Sequence, residues 1–268
     1  MSTSVARIAR LPGTTESQLV AAQPVEAGQT VVTESPIVSI DIQSRYRYGD
    51  YCWDLVDRIL ADGDLYKRVC RGHFWETPQL HSPESQAAES ELIRKYGKSR
   101  QLVRGLHALV ATNNIGILAR QGFVSGYGLY ALLSHADHSC EPSCTLEPGD
   151  AGTNALRLVA KRPLRAQEPI TWSYFREAEF LPADVEERNR GLVDLYRFAC
   201  RCARCQRERP AHLKGVKDLV AHYDAQLQAE ALVIANTPGG VEQALARAPV
   251  HLHWAEFDRS RRADIARH

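Results

Sequence analysis

The sequence predicts an irregular α+β fold, with short strands gathered into small sheets, a helical insert, and a cysteine-rich clasp before a short helical C-terminal segment. Two observations predict its strands and helical insert. Short β-rich runs lie near the start of the chain and return from Ile115 onward. Between them the hydrophobic period changes to that of an amphipathic helix, with apolar residues three and four apart. The strands are therefore interrupted by a block of helices and do not alternate with them, which excludes a succession of βαβ units.

In chain order, Gln18-Leu19-Val20-Ala21-Ala22 and Thr30-Val31-Val32-Thr33 are β-rich runs parted by Pro24 and the Ala27-Gly28 turn. Ser35-Pro36-Ile37-Val38-Ser39-Ile40 continues as extended chain. From Asp50 the pattern is helical, with Trp53, Val56, Ile59 and Leu60 on one face. The polar run His81-Ser82-Pro83-Glu84-Ser85-Gln86 reads as a loop or linker. Leu92, Tyr96, Leu102, Leu106, Leu109 and Val110 then carry a longer helical pattern, interrupted at Gly97. Strands are expected at Ile115-Gly116-Ile117-Leu118, Ala155-Leu156-Arg157-Leu158-Val159 and Ile170-Thr171-Trp172-Ser173-Tyr174, the last two flanking a turn at Arg165-Ala166-Gln167-Glu168. Glu186 to Phe198 is helical and runs straight into the cysteines. Beyond Pro210, the positions Val216, Leu219, Val220, Tyr223 and Leu227 define one more amphipathic helix, and the tail through Arg259-Ser260-Arg261-Arg262 is weakly patterned.

Composition excludes some functions. A chain of 268 residues suits one large domain with an appendage or two small ones. A formal net charge of +1 offers no argument for nucleic acid or an anionic membrane as partner. No apolar run approaches the ~18 residues that cross a bilayer. Met1-Ser2-Thr3-Ser4-Val5-Ala6-Arg7 lacks an apolar stretch, so no secretory leader is expected. Seven cysteines, an odd number with three in metal spacing, fit a reducing compartment better than a disulfide framework; the cytoplasm, the nucleus or both are expected.

The candidate sites begin with Cys200-Arg201-Cys202-Ala203-Arg204-Cys205. Three cysteines in C-x-C-x2-C spacing make an incomplete soft-metal site, because a closed structural zinc takes four ligands in a tetrahedron. The fourth thiolate has to come from elsewhere, and Cys140 or Cys144 is the obvious donor. Buried free thiols are the competing reading, but the cysteines alternate with Arg201, Arg204, Gln206 and Arg207, a poor context for a core strand. Taken singly, His138 reads as a hydrogen-bonded core or surface histidine, and Tyr174 and Tyr196 as packing residues. Gly126-Tyr127-Gly128-Leu129-Tyr130 lacks the third glycine and the βαβ context of a dinucleotide fingerprint, so a tight turn is its default.

Four segments in order carry more weight than any one. Gly126-Tyr127-Gly128-Leu129-Tyr130, Asp137-His138-Ser139-Cys140-Glu141-Pro142-Ser143-Cys144, Glu168-Pro169-Ile170-Thr171-Trp172-Ser173-Tyr174 and Tyr196-Arg197-Phe198-Ala199-Cys200 resemble the SET domain of protein lysine methyltransferases. The SET-and-MYND (SMYD) branch, with G-x-G-L-Y, N-H-S-C-x-P-N-C, G-E-E-[IL]-T-x-x-Y and Y-x-F-x-C-x-C-x2-C, is the nearest pattern. The resemblance covers residues 113–206 and, more loosely, the N-terminal strands, where Pro24-Val25-Glu26-Ala27-Gly28-Gln29 is similar to a family turn. It implies N-terminal SET strands over 1–45, a helical insert over 46–112, the SET core over 113–180, a post-SET zinc segment over 181–208 and a helical C-terminal extension over 209–268.

The resemblance further implies S-adenosylmethionine as cofactor, a structural zinc, and a protein substrate presenting a lysine, histone or not. Zinc would be held by Cys140, Cys200, Cys202 and Cys205, with Cys144 a bystander. The backbone at Asp137 and His138 would hold the adenine end of the cofactor, Asn113 its amino-acid end, and Phe198 would stack near the adenine. Tyr174, at the cofactor and the methyl-transfer channel, and Tyr196, steering the amine, would be the catalytic pair. Tyrosine hydroxyls suit that task because they orient a neutral amine without adding a full charge, and aligned reactants gain ~7–11 kcal/mol from proximity alone.

Several positions depart from the pattern. The first-strand stretch Glu16-Ser17-Gln18-Leu19-Val20-Ala21 has no glycine where the backbone would embrace the cofactor. Asp137 and Ser143 replace asparagines, and Ile115 stands where an aromatic often lines the lysine channel. Cys52 and Cys70 are too few for a MYND finger, and the branch's long helical C-terminal region is not expected within these 268 residues. The alternatives are a catalytically silent SET domain used as a zinc-stabilised binding module, and methyl transfer to another nucleophile.

Overall fold

The computed structural model describes residues 5–10, 17–41, 51–71, 83–118, 124–150, 152–175 and 177–237. Glu16, Asp50, His81, Ser82 and the 259–262 tail, which figured in the expectations above, lie outside the described residues. The chain divides into two compact units, residues up to Asp137 with Pro142–Trp172, and His138–Glu141 with the chain from Ser173 onward. No described helix is long and apolar enough to cross a membrane.

The first unit is built on antiparallel pairs of β-branched and leucine-rich strands. Ala6–Arg10, which the sequence reading passed over, pairs with Ser17–Ala21, Ala6 opposite Ala21. Leu156–Ala160 is the centre of a three-stranded sheet between Thr30–Glu34 and Cys144–Pro148. Val124–Leu129 is the centre of another, between Val38–Asp41 and Asn114–Leu118. The apolar faces of the first two groups and of Asn114–Leu118 meet in one core that includes Leu19, Val32, Ile117, Tyr130, Leu133, Leu156 and Leu158. Cys144 belongs to that core, and burial pushes its thiol up to about 11.

The glycine pair corrects the tight-turn expectation, since Gly126 and Gly128 lie inside the central strand Val124–Leu129. A Cβ at Gly126 would stand 2.3 Å from the carbonyl oxygen of Ile40, and one at Gly128 would stand 2.9 Å from the Pro36 side chain. Here glycine permits close approach of chain segments.

The helical insert follows the expected periodicity. Trp53, Val56 and Ile59 of Tyr51–Ala61 are fully buried, as are Leu92 of Pro83–Tyr96 and Val110 of Arg100–Asn113. Gly97, at φ +61°, separates the last two helices, and Ser99 caps the second by accepting the Leu102 N–H. Pro83–Gln86 is helical and not loop, because proline's fixed φ suits a first helical turn. The Trp53 indole N–H donates to Ser85 Oγ at 2.9 Å. Tyr51 stacks on Tyr127 at 3.9 Å and donates to Asn114, fastening the insert to the sheet.

Two polar clasps shape the segment approaching Asp137. The Glu34 carboxylate accepts the N–H groups of Ala131, Leu132 and Leu133, which holds the 3-10 turn Leu133–His135. Burial pushes that carboxyl up, and the three N–H groups pull against it. Ser143 accepts the Thr171 N–H at 2.8 Å while its own N–H donates to Thr171 Oγ1 at 3.0 Å. A serine at that position thus ties down the two-residue strand Thr171–Trp172, which is shorter than the run expected over 170–174.

In the second unit, Asp184 caps the helix Val185–Tyr196 by accepting the Glu187 N–H. The helix ends two residues before the expected Phe198, because Arg197 turns left-handed (φ +59°) and reverses the chain. A short helix, Ala203–Glu208, and the final helix, Leu219–Asn236, follow. Val193, Leu213, Leu219 and Tyr223 form a small core, with Arg197–Asp224 and Arg190–Glu230 ion pairs outside it.

Candidate active site and metal centre

The second unit gathers the cysteines. Cys140, Cys200, Cys202 and Cys205 bring their sulfurs within 4.8 Å of one another, all four as free thiols. Among the described residues no other group of potential ligands meets this way, and the group includes Cys140 and not Cys144. The Cys140–Cys205 separation is 3.4 Å, too long for a disulfide. A zinc tetrahedron with Zn–S near 2.3 Å needs sulfurs about 3.8 Å apart, within the range that the four sulfurs span.

The surroundings are those of thiolates. Cys200 Sγ faces the Cys202 N–H at 3.5 Å, and Cys202 Sγ the Cys205 N–H at 3.4 Å. Cys205 Sγ faces the Asn189 amide at 3.8 Å and the Arg188 guanidinium at 3.9 Å, and Cys140 Sγ the His138 ring at 3.4 Å. Four thiols this close share their protons unequally. Hydrogen bonds from Cys140 pull Cys202 down, and Cys205 to about 7, while Cys140 itself is pushed up by Cys200. A divalent cation would replace those protons. Four thiolates around Zn2+ leave two negative charges, and Arg188, with no exposed side-chain surface, lies against them. Burial opposes its charge, but Glu208 and the sulfurs of Cys140 and Cys205 outweigh that, so it stays a cation.

Sequence reasoning missed Arg188 and Asn189. The available signal was two polar residues in the apolar stripe between Val185 and Leu192, where each points inward. Asn189 uses both ends of its amide there, accepting the Cys200 N–H at 2.7 Å and donating to the Val185 carbonyl at 2.8 Å.

The same unit brings together an aromatic group. Tyr196 is the last residue of its helix, and the left-handed Arg197 swings Phe198 back toward it. Tyr174 and Tyr196 have ring centroids 5.1 Å apart, and the Tyr196 hydroxyl donates to the Tyr174 carbonyl at 3.4 Å. Phe198 lies 6.1 Å from both Tyr174 and His138. Tyr174, Tyr196 and Phe198 are half-buried and pack against the core of Phe175, Phe180 and Leu192. Partly exposed aromatic rings suit a flat purine and an alkylamine chain.

His138 is buried, and desolvation lowers its pKa to about 3, so the ring is neutral. The Tyr174 N–H donates to its Nδ1 at 3.1 Å. That bond explains why the strand stops at Trp172, since the Tyr174 N–H serves a side chain instead of a ladder. The two remaining sequence candidates belong to the first unit. Asn113 ends its helix, buried, with its amide donating to the Leu109 carbonyl at 2.8 Å, and Asp137 is exposed.

Comparison with known proteins decides the family. The sequence profile of the SET domain matches residues 17–175, more than half of the chain. The chain belongs to the SET-domain family. That stretch includes His138, Cys140 and Tyr174, whereas Tyr196, Phe198 and the other three cysteines lie beyond it. The chain is similar to the mouse histone-lysine N-methyltransferase SMYD3, with 32% identity over 132 residues, 43% of this chain and 29% of that protein. Human SMYD1, also a histone-lysine N-methyltransferase, is 25% identical over 206 residues, 72% of this chain and 37% of that one. The SET5 histone-lysine N-methyltransferase of Eremothecium gossypii is 35% identical over 80 residues, 30% of this chain and 15% of that one. The chain therefore spans well under half the length of these relatives. It is a SMYD-like SET protein with a cysteine cluster compatible with a metal.

Proposed function

We propose that this SET-domain protein is an S-adenosylmethionine-dependent protein-lysine N-methyltransferase whose cysteine cluster holds a structural zinc. The observation that carries the reading is the Tyr174–Tyr196 pair, joined by the hydroxyl-to-carbonyl contact and flanked by Phe198. When bound, the cofactor supplies an electrophilic methyl group on a sulfonium centre. Asn113, Asp137, His138, Tyr174 and Phe198 are the residues assigned to it, the His138 contribution being its backbone.

The residues' work is orientation and protonation state. A lysine begins near pKa 10.4, and a channel walled by aromatic rings disfavours its charged form through desolvation. Tyr196, whose hydroxyl is directed at a backbone carbonyl, steers the neutral amine, and Tyr174 lines its path. Zinc with four thiolates has no open position and takes no part in the reaction. The substrate class is a protein presenting a lysine, by analogy with the relatives' names, and the cytoplasm or nucleus is the compartment. The segments 1–45, 46–112, 113–180, 181–208 and 209–268 are proposed as its functional divisions.

Isothermal titration of zinc-loaded protein with S-adenosylmethionine and S-adenosylhomocysteine tests the reading. Micromolar binding of both, followed by methyl transfer to lysine in a protein substrate, is expected. Folded protein that binds neither is a silent SET module, and the proposal fails.

A further inference from the structure

We infer that His138 is a positioning residue, its imidazole joining the Cys140 sulfur to the backbone of Tyr174, so that the metal clasp sets where that tyrosine stands. The inference rests on the proposed function only for what Tyr174 does. The two-residue strand Asp137–His138 ends just before Cys140, and the chain brings the His138 ring against its own cysteine. The ring then has two contacts. A backbone N–H can only donate, so Nδ1, 3.1 Å from the Tyr174 nitrogen, must be the acceptor. In a neutral ring the proton therefore sits on Nε2, which points at Cys140 Sγ from 3.4 Å. Tyr174, Phe180 and Phe198 surround the ring at centroid distances of 5.4, 5.7 and 6.1 Å.

A rigid five-membered ring transmits displacement. If Cys140 moves on loss of the metal, the ring follows, and the Tyr174 N–H loses the acceptor that drew it out of the strand. Groups that hydrogen-bond to metal ligands characteristically alter metal affinity about 10–100-fold when removed. His138 does so while its opposite edge holds a backbone atom of the proposed channel.

The test uses the full-length, zinc-loaded protein. Long-range 1H–15N spectra of the imidazoles must show the His138 Nδ1 as a hydrogen-bond acceptor; a proton on Nδ1 overturns the inference without any mutation. The variants then separate the ring's two edges. His138→Asn keeps an acceptor close to the backbone and lacks reach to Cys140. It should retain slow exchange of the Tyr174 amide but shift the sulfur-to-metal charge-transfer band of the cobalt-substituted protein and weaken zinc binding about tenfold or more. His138→Phe, which keeps a flat aromatic ring and loses both contacts, should alter the band and also speed Tyr174 amide exchange at least tenfold, with Leu158 in the first unit as the unaffected reference. Should His138→Phe leave the cobalt band, zinc affinity and Tyr174 exchange as in the parent, the ring transmits nothing and the inference is wrong. Cofactor binding is measured separately, so a protein that binds no S-adenosylmethionine yet shows these effects refutes the enzyme and leaves the relay standing.

Discussion

The Tyr196 hydroxyl donates to the Tyr174 carbonyl at 3.4 Å, and both rings remain half-buried. Removing that oxygen leaves the ring packing intact, so Tyr196→Phe should fold normally. If the hydroxyl orients the amine, transfer should fall roughly 100-fold or more, the usual scale for a lost transition-state hydrogen bond. Binding of S-adenosylhomocysteine, measured by titration, should hold. The opposite pattern, weakened binding with normal turnover, would remove Tyr196 from the catalytic pair. A second residue speaks to folding. Gln167 has φ +68° in the Arg165–Glu168 turn, where the SMYD pattern has its G-E-E glycine. A side chain in the left-handed region costs ~1–2 kcal/mol, and glycine returns about half of that through its freer unfolded chain. Gln167→Gly should therefore stabilise the protein by about 0.5–1 kcal/mol in chemical denaturation. The motif spacing showed where the tyrosines lie in the chain. It carried no hint that His138 faces inward to a sulfur, because a histidine's two nitrogens leave no trace in a pattern of residue types.

The helix Val185–Tyr196 buries Val185 and Leu192 as an ordinary amphipathic element would, yet spends two inward positions on Arg188 and Asn189. Both reach Cys205, so this element serves the clasp as well as the core. Arg188→Met keeps most of the volume and removes the buried cation beside a centre carrying two negative charges when filled. Zinc affinity should drop about 10–100-fold by competition with a chromophoric chelator. Glu208 is not orphaned in the variant, since Arg204 still binds it at 2.7 Å. Affinity equal to the parent's would make Arg188 a packing residue only. A different element shows where sequence reading fails. Gly126 and Gly128 look like turn residues, and only a three-dimensional neighbour, the Ile40 carbonyl, reveals that glycine is there for closeness. Gly126→Ala must push Val38–Asp41 away from its partner and should destabilise the fold by about 1–3 kcal/mol. The hairpin strand Ala6–Arg10 was illegible for another reason. Its Ala-Arg-Ile-Ala-Arg composition is poor in β-branched residues, and pairing with Ser17–Ala21 makes it a strand.

Across the molecule, the apolar cores follow the two units. The large core of Leu19, Val32, Leu156 and Leu158 lies wholly in the first, and Phe175, Phe180, Leu192 and the cysteines form one in the second. Alternating and helical periodicity could announce the first kind, because burial of leucine and valine is written into residue type. The second kind is held by sulfur. Cys140, Cys200 and Cys205 are core members there, so a metal held by them would replace apolar bulk that a short segment cannot supply. Chelation should accordingly act on one unit. With zinc removed, hydrogen exchange followed by mass spectrometry should show lost protection in peptides covering Val185–Tyr196 and Ala203–Glu208, while Thr30–Glu34 and Leu156–Ala160 keep theirs. Loss spread evenly over both sets would mean the units fold as one and that the metal supports the whole chain. No loss anywhere would mean that packing of Phe175, Phe180 and Leu192 suffices without the ion, and the clasp would then have to be explained by something other than stability.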